Sequence, residues 1–261
     1  MLQEDRFLKI VGYLKANGTA TLNELAQEVD ASVGTVRRDL SCLEQSGMLQ
    51  IVRGGAVAKN YDLTKQAFDM RGIEHKEEKR ELAEALSRIV VDGQAVALNS
   101  GTTNIEVAKF LVENYQRLTV MTNNLRILNI LKKGKNFTLI VPGGMFDHEE
   151  YTIYGKQCEQ DILSYNIDTA LLAVNALSVD KGVTDFRLKE VGIIRALLKS
   201  AKQKIIVADY SKFDRLACMN VCGLDEIDCV VTDTRTEDEV IRKYEQANVK
   251  VIRAGKGQGT L

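Results

Sequence analysis

The sequence predicts an α/β chain in two parts, an N-terminal winged helix-turn-helix followed by a doubly wound, mostly parallel α/β domain. Three observations predict it. Before residue 50, apolar residues recur at helical spacing in three short runs. From residue 90 onward, apolar runs of strand length alternate with helical patterns, as in a parallel sheet covered on both faces. The 261 residues, 45% of them hydrophobic, suit one small and one medium domain with real cores.

Arg6 to Lys15 carries Phe7, Ile10, Val11 and Leu14 on one face and stops at Asn17-Gly18. Thr21-Leu22-Asn23-Glu24 has the form of a capping box, and Leu22, Leu25, Ala26 and Val29 give a second helical stripe. Asp30-Ala31 forms a short turn, with Ser32 as N-cap of a third helix. There Val33, Val36, Leu40 and Leu43 make a buried stripe. The opposite face is Ser32, Gly34, Thr35, Arg37, Arg38 and Ser41, small or hydroxylated residues beside two adjacent guanidinium groups. A helix entering the DNA major groove needs small residues for close approach and donors for phosphates and base edges. After Gly47, Met48 to Val52 and Ala56 to Ala58 flank Arg53-Gly54-Gly55, a hairpin signal for a small wing.

The expected DNA contacts are therefore Thr21, Ser32, Gly34, Thr35, Arg37, Arg38, Ser41, Arg53 and Gly54. Residues 1–60 hold seven basic and seven acidic side chains, so net charge does not point to DNA. Placement does, because Arg37, Arg38, Arg53 and Lys59 cluster on the third helix and the wing. Asp39 reads as the partner of a neighbouring arginine or a backbone donor.

The winged helix-turn-helix is expected over 3–58, a polar linker over 59–73, the α/β domain over 74–254 and a disordered tail over 255–261. The charged run His75 to Arg80 opens a helix, because Leu82, Ala85, Leu86 and Ile89 continue it with an apolar face. Strands follow at Ala95 to Leu98, Leu118 to Thr122, Phe137 to Val141, Thr169 to Val174, Lys204 to Ala208, Asp228 to Thr232 and Lys250 to Ile252. Helices are expected at Thr102 to Val112, Leu125 to Leu131, Leu188 to Ser200 and Glu237 to Ala247.

In such sheets ligands bind beyond the carboxyl ends of the strands. The first of those loops is Asn99-Ser100-Gly101-Thr102-Thr103-Asn104, where glycine, hydroxyls and the free N–H groups of a helix start make an anion seat. Thr122-Asn123-Asn124 and Pro142-Gly143-Gly144 follow the next two strands, and Asp209-Tyr210-Ser211-Lys212 supplies a cation after a later one. The candidate effector residues are Asn99, Ser100, Gly101, Thr102, Thr103, Asn104, Thr122, Asn123, Gly143, Gly144, Asp209 and Lys212.

Two sets of motifs carry a family resemblance. Arg6, Ile10, Leu14 and Gly18, then Glu24-Leu25-Ala26, Ser32-x2-Thr35-Val36-Arg37-Arg38-Asp39-Leu40-x2-Leu43-Glu44-x2-Gly47-x-Leu49 and Gly54-Gly55-Ala56 closely resemble the DeoR family of bacterial repressors. Ser100-Gly101-Thr102-Thr103, Thr122-Asn123, Gly143-Gly144, Gly182-x-Thr184, Glu190 and Ala208-Asp209-x-Ser211-Lys212-Phe213 resemble that family's effector domain, which is similar to the ribose-phosphate isomerase and CoA-transferase fold. The resemblance implies a repressor of carbohydrate-metabolism genes that binds double-stranded operator DNA as a homodimer or homotetramer. It implies a phosphorylated sugar or related metabolite as effector. Three positions depart from the family pattern: Arg53 where histidine is usual, Asn99 where Asp commonly stands, and Ala176 in place of Gly.

Two other function classes fit less well. A sugar-phosphate isomerase with an accessory DNA-binding module needs a carboxylate base; Asp185, Glu190 and Asp209 are candidates by position, each with a structural reading as cap or ion-pair partner. A metal or redox sensor would use the five cysteines, at 42, 158, 218, 222 and 229, but they are scattered among only two histidines and show no zinc-like spacing. Buried free thiols, no metal and no cofactor are expected. With 35 basic and 36 acidic side chains the chain lacks the basicity of a nonspecific coat protein. No apolar run approaches the roughly 18 residues a membrane span requires. Met1 to Asp5 does not read as a signal peptide, so a cytoplasmic protein without membrane contact is expected.

Overall fold

The computed structural model describes residues 3–45, 49–58 and 68–255. The chain divides into two units, Met1–Glu74 and His75–Leu261. The features expected at Gly47, Met48, Lys59 and the rest of 59–67, and at 256–261, lie outside the described residues.

The first unit runs through helix α1 (Gln3–Asn17), strand β1 (Thr19–Thr21), α2 (Leu22–Glu28), α3 (Val33–Gln45), β2 (Leu49–Val52), β3 (Gly55–Ala58) and α4 (Phe68–Ile73). The three helical stripes meet in one core. Ile10, Leu14, Leu25, Val29, Val36, Leu40 and Leu43 are each no more than 1% exposed, which turns the opposite face of α3 to solvent. Thr21 caps α2: its hydroxyl accepts the Glu24 N–H at 3.2 Å while the Glu24 carboxylate accepts the Thr21 N–H at 2.7 Å. β2 and β3 pair antiparallel with Val52 opposite Gly55, so Arg53-Gly54 is the wing's two-residue tip. β1, too short to show a period in the sequence, adds to the other side of β3. Part of the expected linker is helical: in α4 Phe68 is buried, and Ile73 packs on the first unit's core.

The second unit continues with α5 (Lys76–Ala85), β4 (Ala95–Leu98), α6 (Thr102–Asn114), β5 (Thr119–Thr122), α7 (Leu125–Leu131), β6 (Thr138–Ile140), β7 (Met145–Asp147), β8 (Thr152–Tyr154) and α8 (Lys156–Leu163). It closes with β9 (Ile167–Ala173), β10 (Ala176–Ser178), β11 (Gly182–Asp185), α9 (Leu188–Ser200), β12 (Ala201–Val207), β13 (Met219–Cys222), β14 (Cys229–Thr232), α10 (Asp238–Gln246) and β15 (Lys250–Arg253).

Seven strands form one parallel sheet in the order β15-β14-β12-β9-β4-β5-β6. Alternation along the strands feeds two cores. Val96, Leu98, Val120, Leu171, Ile205 and Val231 face α5, α6 and α7, while Ala97, Met121, Leu172, Ile206 and Val230 face α8, α9 and α10. The chain winds outward from β4 through β5 to β6, then returns to β9 on the other side of β4 and winds outward again. The switch point therefore lies between β4 and β9, where ligand crevices open in such sheets. The sequence did not disclose the hairpin β7–β8, the helix α8 or the antiparallel sheet β10-β11-β13. Their strands are three or four residues long, and of α8 only Cys158 and Ile162 are buried. Among the described residues no helix is long and apolar enough to cross a membrane.

Candidate functional site

In the first unit the candidate nucleic-acid face is the solvent side of α3 with the wing tip. Arg37, Arg38, Arg53 and Gly54 are exposed. Asp39, 1% exposed, does not pair with either adjacent arginine. Its carboxylate accepts two hydrogen bonds from Arg6 on α1, from Nε at 2.7 Å and Nη2 at 3.0 Å, in the fork geometry that suits a carboxylate. That pair holds α3 against α1 and leaves Arg37 and Arg38 with no ion pair among the described residues. Arg38 Nε reaches the Gly34 carbonyl at 3.4 Å, so one guanidinium leans on its own helix.

The hydroxyls expected at the DNA are engaged by their own elements. Thr21 serves the α2 cap, Ser32 accepts the Thr35 N–H at 3.2 Å and bonds its hydroxyl at 3.0 Å, and Ser41 donates to the Arg37 carbonyl at 3.0 Å. Glu44 Oε1 accepts the Ile51 N–H at 2.6 Å and ties the far end of α3 to the wing.

In the second unit, the loops after β4 and β5 meet beside β9. Gly101 permits this approach: a Cβ there would stand 2.5 Å from the Ala173 Cβ. Ser100 is fully buried, with its N–H on Glu190 Oε1 at 2.8 Å and its hydroxyl oxygen accepting Asn124 Nδ2 at 2.8 Å. Asn123 Nδ2 also reaches Glu190, 3.2 Å from Oε2, and the Thr152 hydroxyl at 2.6 Å. Thr102 and Thr103 open α6 at 7% and 6% exposure. The backbone carbonyl of Glu150, in the strap joining β7 to β8, accepts Asn124 Nδ2 at 2.9 Å and the Ser100 hydroxyl at 3.4 Å.

Three expected contacts have other work. Asn99 is 0% exposed and all its polar capacity is used: Oδ1 accepts from Ala173 N–H and Asn104 Nδ2, and Nδ2 donates to the Ser100 and Ala173 carbonyls. It staples β4 to β9 beneath the loop. Asn104, also 0% exposed, donates to the Asn99 and Leu171 carbonyls and anchors the first turn of α6. Thr122 accepts the Asn124 N–H at 3.2 Å.

Gly143 and Gly144 stand apart. They follow β6, the sheet's edge strand, and the Gly143 N–H is held by the Asp161 carboxylate at 2.7 Å. Asp209 and Lys212 flank the turn after β12, with Lys212 Nζ 4.0 Å from Asp209 Oδ2. Asp209 is buried, caps the turn through the Ser211 N–H and hydroxyl, and keeps Oδ2 without a hydrogen-bond partner.

Sequence reasoning missed Arg187. It is 7% exposed and binds Asp185 through Nε at 2.9 Å and Nη2 at 2.6 Å, the Ser100 carbonyl at 2.5 Å and the Ala173 carbonyl at 3.0 Å. Burial works against its charge, but Asp185 more than offsets this and holds the guanidinium above its ordinary range. Nothing in the spacing of Asp185-Phe186-Arg187 marks a pair folded back under a loop 87 residues away. Burial pushes the Glu190 carboxyl up to about 7, against the opposing pull of Arg187, the Ser100 N–H and Asn123. Asp185, Glu190 and Asp209 are thus all engaged by groups of their own unit. Cys158, Cys222 and Cys229 are buried, and burial holds each thiol up at about 12. Cys42 and Cys218 are exposed rather than buried as expected, on the solvent side of α3 and in the loop before β13.

The chain is similar to known regulators along its whole length. A family model of the DeoR-like helix-turn-helix domain matches residues 6–61, and one of the DeoR C-terminal sensor domain matches residues 74–234. The HTH-type transcriptional regulator GolR of Listeria innocua is 29% identical over 251 residues, covering 96% of this chain and 98% of that one. The glycerol-3-phosphate regulon repressor of Haemophilus influenzae is 28% identical over 262 residues, covering 98% and 99%. Among solved structures, ribose 5-phosphate isomerase A from Methanocaldococcus jannaschii aligns with a TM-score of 0.38 at 12% identity, over 54% of this chain and 55% of that one, a likeness from which nothing further follows.

Proposed function

Because the chain belongs to the DeoR family of helix-turn-helix transcriptional regulators, we propose that it represses carbohydrate-metabolism genes and lets go of its operator when the second unit binds a phosphorylated sugar or related metabolite. The observation that carries the DNA-binding half is the burial of Asp39 on Arg6, which frees Arg37 and Arg38 on the exposed face of α3 beside the Arg53 wing tip. The effector half rests on the loop at the β4/β9 switch point, where Ser100 and Gly101 lead into Thr102 and Thr103 at the start of α6 and Lys212 offers a cation on the neighbouring β12 turn. The names of relatives such as the glycerol-3-phosphate regulon repressor support the chemical class. Two copies on repeated half-sites give the grip its specificity, and effector binding changes their fit.

Each tenfold loss of operator affinity needs about 1.4 kcal/mol of differential effector binding between the two states. The test is a thermal-shift screen of the full chain against sugar phosphates, followed by operator release with the compounds that raise its melting temperature. Lys212→Ala should raise the concentration for half-release at least roughly tenfold, a loss of about 1.4 kcal/mol in anion binding, scored against the variant's own ligand-free affinity. An unchanged half-release concentration would remove Lys212 from the seat. Release by no sugar phosphate would remove the effector reading itself.

A further inference from the structure

The donors at the ends of β4 and β5 already face an anion, and it is the chain's own. Ser100 N–H lies 2.8 Å from Glu190 Oε1, Asn123 Nδ2 lies 3.2 Å from Oε2, and the Thr152 hydroxyl lies 3.4 Å from Oε2. An incoming oxyanion at this point would seek those same donors. Asn123 Oδ1 is buried with no hydrogen-bond partner, an acceptor left over beside a filled donor cluster. The strap is built the same way, because the Glu150 carbonyl occupies Asn124 Nδ2 and the Ser100 hydroxyl.

We infer that Glu190 is a built-in counter-anion: its carboxylate holds the Ser100, Asn123 and Thr152 donors, and its charge and a bound anion exclude one another. This rests on the reading that these loops form the effector site. The groups around Glu190 leave it no other way to coexist with an anion. Arg187, ahead of α9, is held by Asp185 of β11 at 2.6 Å. Cys158 of α8 keeps its proton through burial, and Asp185 is a like charge that already acts on Glu190. Burial also brings Glu190 to about 7, so a proton can replace the lost repulsion near neutral pH. Anion binding and protonation of Glu190 are then linked.

Sulfate tests this with the full chain, since its charge does not change between pH 6 and 8. By titration calorimetry, sulfate affinity should fall about tenfold from pH 6 to pH 8 in the wild type, the loss expected of one linked carboxyl near 7. Glu190→Gln should bind sulfate with no such dependence and at least as tightly as the wild type does at pH 6. The wild type alone gives a second readout: at pH 8, in buffers of different ionisation enthalpy, sulfate binding should take up about one proton. Equal pH dependence in both proteins, no proton uptake, or no sulfate binding by either overturns the inference. Operator release by sugar phosphates is a separate measurement, so release without linked protonation overturns the counter-anion alone. Linked protonation without release overturns the effector reading alone.

Discussion

Arg187→Met should cost the sensor unit about 3–5 kcal/mol, the loss typical of breaking one side of a buried ion pair. The side chain is 4% exposed and its partner Asp185 is fully buried. Methionine would fill most of the volume but take the guanidinium from the Asp185 carboxylate and leave the Ser100 and Ala173 carbonyls with one donor fewer, the Asn99 amide remaining. Ala173 ends β9 and Ser100 lies two residues past the end of β4, so the damage falls on the switch point that the candidate effector loop stands on. Urea unfolding of the full chain, with the two units followed separately because their transitions need not coincide, measures the loss. Adding Asp185→Leu should recover much of it, since removing both charges ends the desolvation cost that removing one exposes. A loss under about 1 kcal/mol for the single change, the scale of an exposed ion pair, would mean that Arg187 does not carry the loop.

Gly55→Val should detach the wing. A Cβ at this position would lie 2.0 Å from the Ala20 carbonyl oxygen and 2.9 Å from both the Ala20 carbonyl carbon and the Thr21 Cα. All three are backbone atoms of β1, so no side chain can move aside, and Thr21, directly opposite Gly55, must separate from β3. The expected loss in the first unit is about 2–3 kcal/mol, the upper range for overpacking. Hydrogen exchange at the wing amides should accelerate with it. Gly12→Ala is the control: nothing stands within 4 Å of its Cβ on α1, and alanine there should stabilise by about 0.5–1 kcal/mol. A Gly55→Val protein with a wild-type melting temperature and protected Leu22 and Ala58 amides, which donate to the Gly54 and Gly18 carbonyls, would contradict the pairing of β1 with the wing.

The helices and the parallel strands were legible because each repeats a pattern over enough residues to show it. Val36, Leu40 and Leu43 set α3's buried side, and the apolar runs Ala170 to Ala173 and Ile205 to Val207 mark strands covered on both faces. Three-residue pieces such as β1, β7, β8 and β10 form because a neighbour offers an edge, and an edge is a tertiary fact. The candidate site divides the same way. Glycine, hydroxyl and amide residues after β4 and β5 flag a loop at a helix start, but not which of them meet one another. Asn99 and Asn104 bond mutually and to β9 instead of facing outward, and Glu190 arrives from α9 to take the Ser100 amide. Asp39 shows the converse: a carboxylate next to two arginines pairs with a third from α1, because helix geometry points its neighbours the other way.

That outward pointing of Arg37 and Arg38 is the claim on which repression rests, and the salt dependence of operator binding tests it most directly. Full-length protein is titrated by fluorescence anisotropy against a duplex from upstream of its own gene, between about 50 and 200 mM salt, where phosphate contacts dominate the slope. At least one of Arg37→Ala and Arg38→Ala should weaken binding by about tenfold or more, and the variant that loses a phosphate contact should flatten the log–log salt slope by about one. Both variants binding with wild-type affinity and wild-type slope would mean that the exposed face of α3 does not meet DNA.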